Sequence, residues 1–149
     1  MSPVRNRIAV LHGVNLDTLG RRNPAHYGTL TLVELEERVV SFGRELGLEV
    51  SCFQTNSERE FVEHLHGLPG RADGIVINPG AWTHYSWAIR DALEIAGLPA
   101  VEVHLSKIDD REHWRQVSVV RELVLACVSG QGVEGYREAL VRLSKALDE

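Results

Sequence analysis

The sequence predicts an α/β protein built on a parallel sheet, because short apolar runs alternate with helical patterns along the chain. The runs are rich in β-branched residues, which is typical of strands that are covered on both faces. The stretches between them repeat apolar residues at spacings of three and four, which indicates amphipathic helices. The chain has 149 residues, a length that suits one domain, 1–149, with one continuous core.

Three strands and two helices are expected in the first half of the chain. The strands are the apolar runs at 7–11, 48–53 and 74–78. Thr31 is an N-cap residue with Glu34 three positions later, and this capping box begins a helix over 32–46. Ser57 caps a second helix, which the glycines between 67 and 70 end.

The second half continues the alternation, with strands at 100–105 and 123–128 and helices at 85–96, 110–116 and 135–147. Consecutive parallel strands are joined by right-handed crossovers. Five such units favour the flavodoxin-like doubly wound strand order 2-1-3-4-5. In this architecture ligands bind beyond the carboxyl ends of the strands, so functional residues are expected there.

The overall composition indicates which partners and which compartment to expect. The formal net charge of −5 argues against nucleic acid. The sequence contains neither a signal-peptide pattern nor a membrane-spanning apolar stretch, and we expect a cytoplasmic protein. Cys52 and Cys127 lie in apolar runs without metal-ligand spacing, which favours buried free thiols in a reducing compartment.

Three patterns associated with cofactors, metals or phosphorylation are discounted. Gly130–Gly135 matches G-x-G-x-x-G, but it follows the last strand and leaves no room for a ribose-binding acid downstream. His64 and His66 are two apart on a helix and point to different sides. A phospho-acceptor site needs paired acids after the first strand, where only Asp17 lies. We therefore expect no cofactor and no metal.

Polar residues follow three strands that are neighbours in the predicted order. They are His12 to Asn15, Asn78 to His84, and Glu102 to Ser106. Glu102 and His104 are two apart on a strand and share a face. A carboxylate beside an imidazole orients it and raises its basicity, which suits a general acid or base. One such pair alone is more often structural, but the neighbouring polar strand ends favour catalysis.

The long connection over 20–28 contains Tyr27 together with Arg21 and Arg22. Arg111 and Arg115 follow the fourth strand. A nearby guanidinium stabilises a phenolate, so Tyr27 is a credible base for a carbon acid. Spacing alone does not choose between Arg21 and Arg22 as its partner. Arg111 and Arg115 share a face if they lie on a short helix, where they bind a substrate carboxylate or pair with acids.

Five segments carry a family resemblance, namely LHGVNLDTLG (11–20), RRNPAHYG (21–28), INPGAWTHYSWAIRDAL (77–93), EVHLSKIDDREHWR (102–115) and GQGVEGY (130–136). In this order they resemble type II 3-dehydroquinate dehydratase. The resemblance implies a flavodoxin-like fold and removal of water from 3-dehydroquinate to give 3-dehydroshikimate, without metal or organic cofactor. It places the reaction in the shikimate pathway of aromatic amino acid biosynthesis or in quinate catabolism. It also implies a homododecamer built as four trimers.

The resemblance assigns a role to each site residue. Tyr27 would take the proton from C2, with Arg22 holding it as tyrosinate. Asn15 would position a water that stabilises the enolate. His104, oriented by Glu102, would protonate the departing C1 hydroxyl. The remaining residues would bind substrate: Asn78, His84 and Arg115 the ring hydroxyls, Leu105 and Ser106 the carboxylate, and Asp91 the site of a neighbouring subunit.

The sequence departs from the family pattern mainly in the first loop, where His12 replaces Asn, Val14 replaces Pro, and Asp17 and Thr18 also differ. Further departures are Trp82 and the stretch 117–121. They motivate a second hypothesis, a diverged relative that binds or scaffolds, or acts on another hydroxy-keto acid. It requires His12 and Asp17 to crowd the pocket. A third, weaker hypothesis is a metal-dependent hydrolase using His12, His84 and His104.

Overall fold

A five-stranded parallel sheet with strand order β2-β1-β3-β4-β5 forms the centre of the computed structural model, which describes residues 4–149. The predicted strand order is therefore confirmed. The strands are β1 (Arg7–His12), β2 (Glu49–Gln54), β3 (Gly74–Asn78), β4 (Ala100–His104) and β5 (Ala126–Ser129). The helices are α1 (Pro24–Tyr27), α2 (Leu32–Glu45), α3 (Glu58–His66), α4 (Trp87–Ala96) and α5 (Glu134–Leu147). Within residues 4–149 no helix is long and apolar enough to cross a membrane.

Both predicted helix caps are present, because they depend on residues only three positions apart. The Thr31 hydroxyl accepts from the Glu34 backbone N–H at 3.2 Å, and the Glu34 carboxylate accepts from the Thr31 backbone N–H at 3.1 Å. The Ser57 hydroxyl accepts from the backbone N–H of Glu60 in the same way. These bonds satisfy N–H groups that the first turn of each helix leaves without a partner.

Two apolar cores cover the sheet, one on each face. Helices α2 and α5 cover the first, where Val10 and Leu140 are buried. Helices α3 and α4 cover the second, where Leu11 and Phe61 are buried. Because side chains alternate along a strand, neighbours such as Val10 and Leu11 enter opposite cores. By the same alternation His12 lies on the α2/α5 face, and Glu102 and His104 lie on the α3/α4 face, since Val101 and Val103 face α2 and α5.

The start of the helix predicted over 85–96 was wrong, and so was the helix predicted over 110–116. Tyr85 lies outside α4, because the Ser86 hydroxyl accepts from the Ile89 backbone N–H at 3.1 Å and makes Ser86 the N-cap. The expected helix over 110–116 is two short 3-10 turns, Ile108–Asp110 and His113–Gln116. Between them the backbone at Arg111 is extended, with φ −95° and ψ −178°, which breaks the helix.

The last strand begins later than predicted and the first connection contains more local structure. Strand β5 begins at Ala126 rather than 123. Ala126 pairs with Val101 of β4, and Leu125 still donates to the carbonyl of Ala100, the first residue of β4. Residues Arg121–Leu123 form a 3-10 turn instead. The short helix α1 was not predicted; Asn23 caps it and Pro24 stands at its first position.

The loops after β1 and β3 pack against each other, backbone to backbone. A Cβ at Gly13 would lie 2.2 Å from the Pro79 carbonyl oxygen, and one at Gly80 would lie 2.7 Å from the Val14 carbonyl oxygen. The Gly13 N–H also donates to the Asn78 carbonyl at 2.8 Å. Glycine at both positions lets the two strand ends converge at one edge of the sheet.

We expect Gly13→Ala to lower the free energy of unfolding by about 2 kcal/mol or more, because the added methyl group would overlap a fixed carbonyl. The matched control is Gly67→Ala, where the nearest atom would lie 3.6 Å from the new Cβ. This control should change stability by less than about 1 kcal/mol. Urea denaturation measures both. Equal midpoints for the two variants would show that the loops do not pack in this way.

Candidate active site

A pocket opens at the carboxyl ends of the strands, as the architecture predicts. It encloses about 560 Å³, including its open mouth. The structure brings into its lining most of the residues assigned from the sequence: Asn15, Arg22, Tyr27, Asn78, His84, His104, Leu105, Ser106 and Arg115. Two assigned residues lie elsewhere. Glu102 is buried behind His104, and Asp91 is exposed on α4, outside the pocket of its own chain.

Two guanidinium groups face the hydroxyl of Tyr27. Arg22 Nη2 donates to it at 3.0 Å, and Arg111 Nη1 donates at 3.2 Å. The Arg22 guanidinium also lies over the tyrosine ring, 3.8 Å from its centroid. Two positive charges at the phenol oxygen stabilise its anion. The structure thus selects Arg22 over Arg21 and adds Arg111, which sequence reasoning had not connected with Tyr27.

The Glu102 carboxylate is fully buried, and three donors satisfy it. Its Oε2 accepts from the Thr83 hydroxyl and from His104 Nε2, each at 2.5 Å. Its Oε1 accepts from the Ser118 hydroxyl at 2.7 Å. Burial alone raises the pKa of Glu102, but these hydrogen bonds outweigh burial and lower the pKa below its usual value. Glu102 is therefore a carboxylate at neutral pH.

A carboxylate only accepts hydrogen bonds, and this fixes the orientation of the His104 ring. Nε2 must carry the hydrogen that is donated to Glu102. Nδ1 is then the ring nitrogen that is left to exchange a proton with a ligand. Glu102 stabilises the imidazolium that forms when Nδ1 is protonated. Thr83 and Ser118 position Glu102, and sequence reasoning missed both because they lie 19 and 16 residues from it along the chain.

His84 presents a lone pair to the same pocket. Its Nδ1 donates to the Val117 carbonyl at 2.6 Å, which leaves Nε2 as an acceptor in the neutral ring. Burial lowers the pKa of His84, although the bond to Val117 opposes the shift. The ring lies 6.5 Å from that of His104 and packs edge-on against Trp114 at 5.3 Å. Neutral His84 is suited to accept a hydrogen bond from a ligand hydroxyl.

Two asparagines are held in place at the pocket floor. Asn78 donates from Nδ2 to the Tyr136 hydroxyl at 2.9 Å, and its Oδ1 accepts from the Gly80 N–H at 3.2 Å. Asn15 has a left-handed backbone, with φ 71°, and its N–H donates to Asn56 Oδ1 at 2.8 Å. Through this bond Asn56 positions Asn15. Asn56 lies just after β2, and the strand-end pattern did not reveal it.

Arg115 lies at the pocket wall in two side-chain contacts. Its Nε donates to Glu112 Oε2 at 2.6 Å. Its guanidinium lies over the Trp114 ring, 4.1 Å from the centroid. Because Arg111 breaks the expected helix, Arg111 and Arg115 do not share a helix face. They nevertheless line the same pocket, with Arg111 directed at Tyr27.

Of the departures in the first loop, Val14 lines the pocket, whereas His12 and Asp17 do not. Asp17 Oδ2 accepts from Asn56 Nδ2 at 3.2 Å. His12 is fully buried on the α2/α5 face, 5.6 Å from the Tyr136 ring, and neither ring nitrogen has a hydrogen-bond partner. Burial lowers the pKa of His12 to about 4, so this ring is neutral. His12 and His104 lie on opposite faces of the sheet and do not form a three-histidine metal site with His84.

The cysteines are free, as expected, but only partly buried. Burial raises the pKa of each thiol to about 12, so neither is a thiolate on its own. The glycine-rich stretch 130–135 forms the turn from β5 to α5 and the first two residues of α5, as the sequence suggested. Nothing in this turn resembles a dinucleotide site, because that site lies after the first strand of a βαβ unit.

The fold and the pocket define a flavodoxin-like α/β protein with groups for proton transfer at the carboxyl edge of its sheet. The sequence pattern of Dehydroquinase class II matches residues 6–144. The 3-dehydroquinate dehydratase of Pelobacter propionicus is 48% identical over 143 residues, which cover 95% of this chain and 96% of that protein. That of Thermotoga maritima is 46% identical over 143 residues, covering 96% and 98%.

A solved structure agrees with these sequence matches. The type II dehydroquinase from Propionibacterium acnes superimposes with a TM-score of 0.90 and 44% sequence identity, over 97% of this chain and 99% of that one. The chain belongs to the dehydroquinase class II family.

Burial of His12 should make stability depend on pH. Its pKa of about 4 in the folded protein lies below the ordinary value of 6.5, so between these values the unfolded chain binds more protons. Stability is retained above pH 6.5 and falls as the pH drops towards 4, by on the order of 3 kcal/mol.

Urea denaturation across this pH range gives the slope of the free energy of unfolding against pH. We expect His12→Leu to lose much of the slope that wild type shows. The control His66→Gln removes an exposed imidazole at the end of α3 and should keep it. An unchanged slope in His12→Leu would contradict the assignment.

Proposed function

We propose that this chain is a 3-dehydroquinate dehydratase, which eliminates water from 3-dehydroquinate to give 3-dehydroshikimate. The observation that carries the proposal is one pocket with a phenol held between two guanidinium groups and an imidazole held by a buried carboxylate. Elimination next to a carbonyl needs such a base and such an acid. Membership of the family and the names of the relatives support the same reaction.

Tyr27 is the base that removes the proton from C2, beside the ketone. Arg22 and Arg111 stabilise its phenolate form before the reaction. Loss of the C2 proton leaves an enolate, whose charge needs hydrogen-bond donors in place beforehand. Asn15, held in position through Asn56, orients a water molecule towards the enolate oxygen.

His104 is the acid that protonates the C1 hydroxyl as it leaves as water. Nδ1 gives up the proton, and the bond from Nε2 to Glu102 keeps the ring in place throughout. The Tyr27 ring packs against the core on the α2/α5 face, whereas His104 lies on the α3/α4 face. Base and acid therefore reach the substrate ring from opposite sides, which gives anti elimination.

The remaining lining residues bind the substrate. Asn78, His84 and Arg115 bind ring hydroxyls, with His84 accepting through Nε2. The backbone of Leu105 and the hydroxyl of Ser106 hold the carboxylate. Tyr27 and His104 carry out both proton transfers, so the reaction as proposed requires no metal or organic cofactor. We place it in the cytoplasm, in the shikimate pathway or in quinate catabolism.

We also propose that the chain assembles as a homododecamer of four trimers, with Asp91 reaching the pocket of a neighbouring subunit. The support lies on α4, where Trp87, Asp91 and Ile95 recur every four residues and share a face. Trp87 and Ile95 are 65% and 67% exposed, which is unusual for large apolar side chains in a free surface helix. The second hypothesis, a diverged non-dehydratase, gains no support from His12 or Asp17, since neither lines the pocket.

Tyr27→Phe and His104→Ala should each lower kcat by about 100-fold or more, because each removes a proton-transfer group. The assay follows enone absorbance after 3-dehydroquinate is added in the presence of a chelator. Tyr85→Phe is the matched control, because Tyr85 is 59% exposed and outside the pocket, and it should retain wild-type kcat. Absence of enone in the folded wild type would refute the proposed reaction, and loss of activity with chelator would refute metal independence.

Complementation between subunits tests the role of Asp91. Asp91→Ala and Tyr27→Phe should each be nearly inactive as pure oligomers. If Asp91 acts across a subunit boundary, oligomers refolded from a mixture should contain some sites with both residues intact and regain activity. A mixture as inactive as its parents, in oligomers shown by sedimentation to be mixed, would place Asp91 outside the neighbour's site.

A further inference from the structure

Cys127 lies beside the catalytic pair on the neighbouring strand. Glu102 pairs with Cys127 in the register of β4 and β5, and paired residues of parallel strands point to the same face. One possible ligand atom each from Glu102, His104 and Cys127 lie within 4.8 Å of one another. The proposed dehydration uses the carboxylate and the imidazole but gives the thiol no role.

The thiol has its own access to solvent. Cys127 is half-buried and lines a second, open pocket at the β5 edge, about 660 Å³ including its mouth, together with Asp109, Arg121 and Ser129. This pocket shares no lining residue with the substrate pocket. The exposed Asp109 carboxylate favours cations at its mouth. The exposed Arg121 donates from Nη2 to the sulfur at 3.4 Å, so a bound metal ion must displace this guanidinium.

The three donors match the preferences of one class of metal ion. A carboxylate oxygen, an imidazole nitrogen and a thiolate sulfur are ligands for Zn²⁺, and the thiolate adds affinity for softer divalent ions. Carboxylate and thiolate together balance two positive charges next to a neutral imidazole. Tetrahedral zinc separates its ligand atoms by about 3.3 to 3.8 Å. The 2.5 Å contact between Glu102 and His104 must therefore widen, and any spacing near the 4.8 Å limit must shorten.

We propose that Glu102, His104 and Cys127 form an inhibitory site for Zn²⁺ or Cd²⁺, in which the metal replaces the proton between the carboxylate and the imidazole. Starting from the imidazolium, binding releases two protons to solvent, one from His104 Nε2 and one from the thiol. Glu102, His104 Nε2 and the sulfur then bind the metal, and His104 no longer acts as the acid. Metal binding stands apart from the proposed function, whereas inhibition depends on it.

Affinity for the metal should rise with pH. A thiol binds a metal ion as the thiolate, so it must first give up its proton. The metal must displace that proton, and affinity increases as protons become scarcer. This dependence separates binding at a thiol from binding at surface carboxylates, which are already ionised at neutral pH.

The test is a titration of the purified oligomer with Cd²⁺ alone, following sulfur-to-metal charge-transfer absorption and, in parallel, dehydration of 3-dehydroquinate. Wild type should show one absorbing Cd²⁺ per chain and a matching loss of activity. Cys127→Ser and Cys127→Ala should keep activity without metal, lose the absorption, and need at least about tenfold more Cd²⁺ for inhibition. Cys52→Ser should behave as wild type.

The following results would contradict the proposed metal site. Absorption that persists in both Cys127 variants, or disappears in Cys52→Ser, places the metal elsewhere. Inhibition of wild type without absorption excludes the thiol as a ligand. If wild type shows no dehydratase activity, the proposed function fails on its own, and the absorption titration still decides whether Cys127 binds the metal. No absorption in wild type refutes the proposal.

Discussion

The rest of the site depends on the buried carboxylate of Glu102. Burying an ionised carboxylate without hydrogen-bond partners costs more free energy than the fold can offset. The donors to Glu102 must therefore be in place whenever the protein is folded. They come from three segments: Thr83 from the turn after β3, His104 from β4, and Ser118 from the loop that follows. The carboxylate therefore holds these segments together, and the same bonds orient the imidazole.

The proposed base and the proposed acid lie on different sides of the sheet. Tyr27 packs against the core on the α2/α5 side, while His104 and Glu102 belong to the α3/α4 side. The pocket spans the edge of the sheet between these groups. Close contact of the loops at Gly13 and Pro79 brings the strand ends together beneath it. Alternation along β4 sets the side of His104, whereas Tyr27 lies on α1, outside the sheet. In the proposed reaction the base and the acid therefore act from opposite sides of the substrate.

The sheet and the pocket position could be predicted because their signals are local or periodic. Strand patterns, the caps at Thr31 and Ser57, and the pairing of Glu102 with His104 all depend on neighbours in sequence. Arg111 was not predicted as a partner of Tyr27, because 84 residues separate them and an extended backbone replaces the expected helix turn. Roles that depend on such distant contacts become visible only in the folded chain.

The stereochemical course of the reaction tests the central claim most directly. 3-Dehydroquinate carrying deuterium on one face of C2 is converted by the enzyme, and NMR of the product measures the label. The account predicts that deuterium anti to the C1 hydroxyl is lost to Tyr27 and that deuterium on the same side as the hydroxyl is retained. Loss of the label on the hydroxyl side would place base and acid on one side of the ring and contradict the division of the site between the two faces of the sheet.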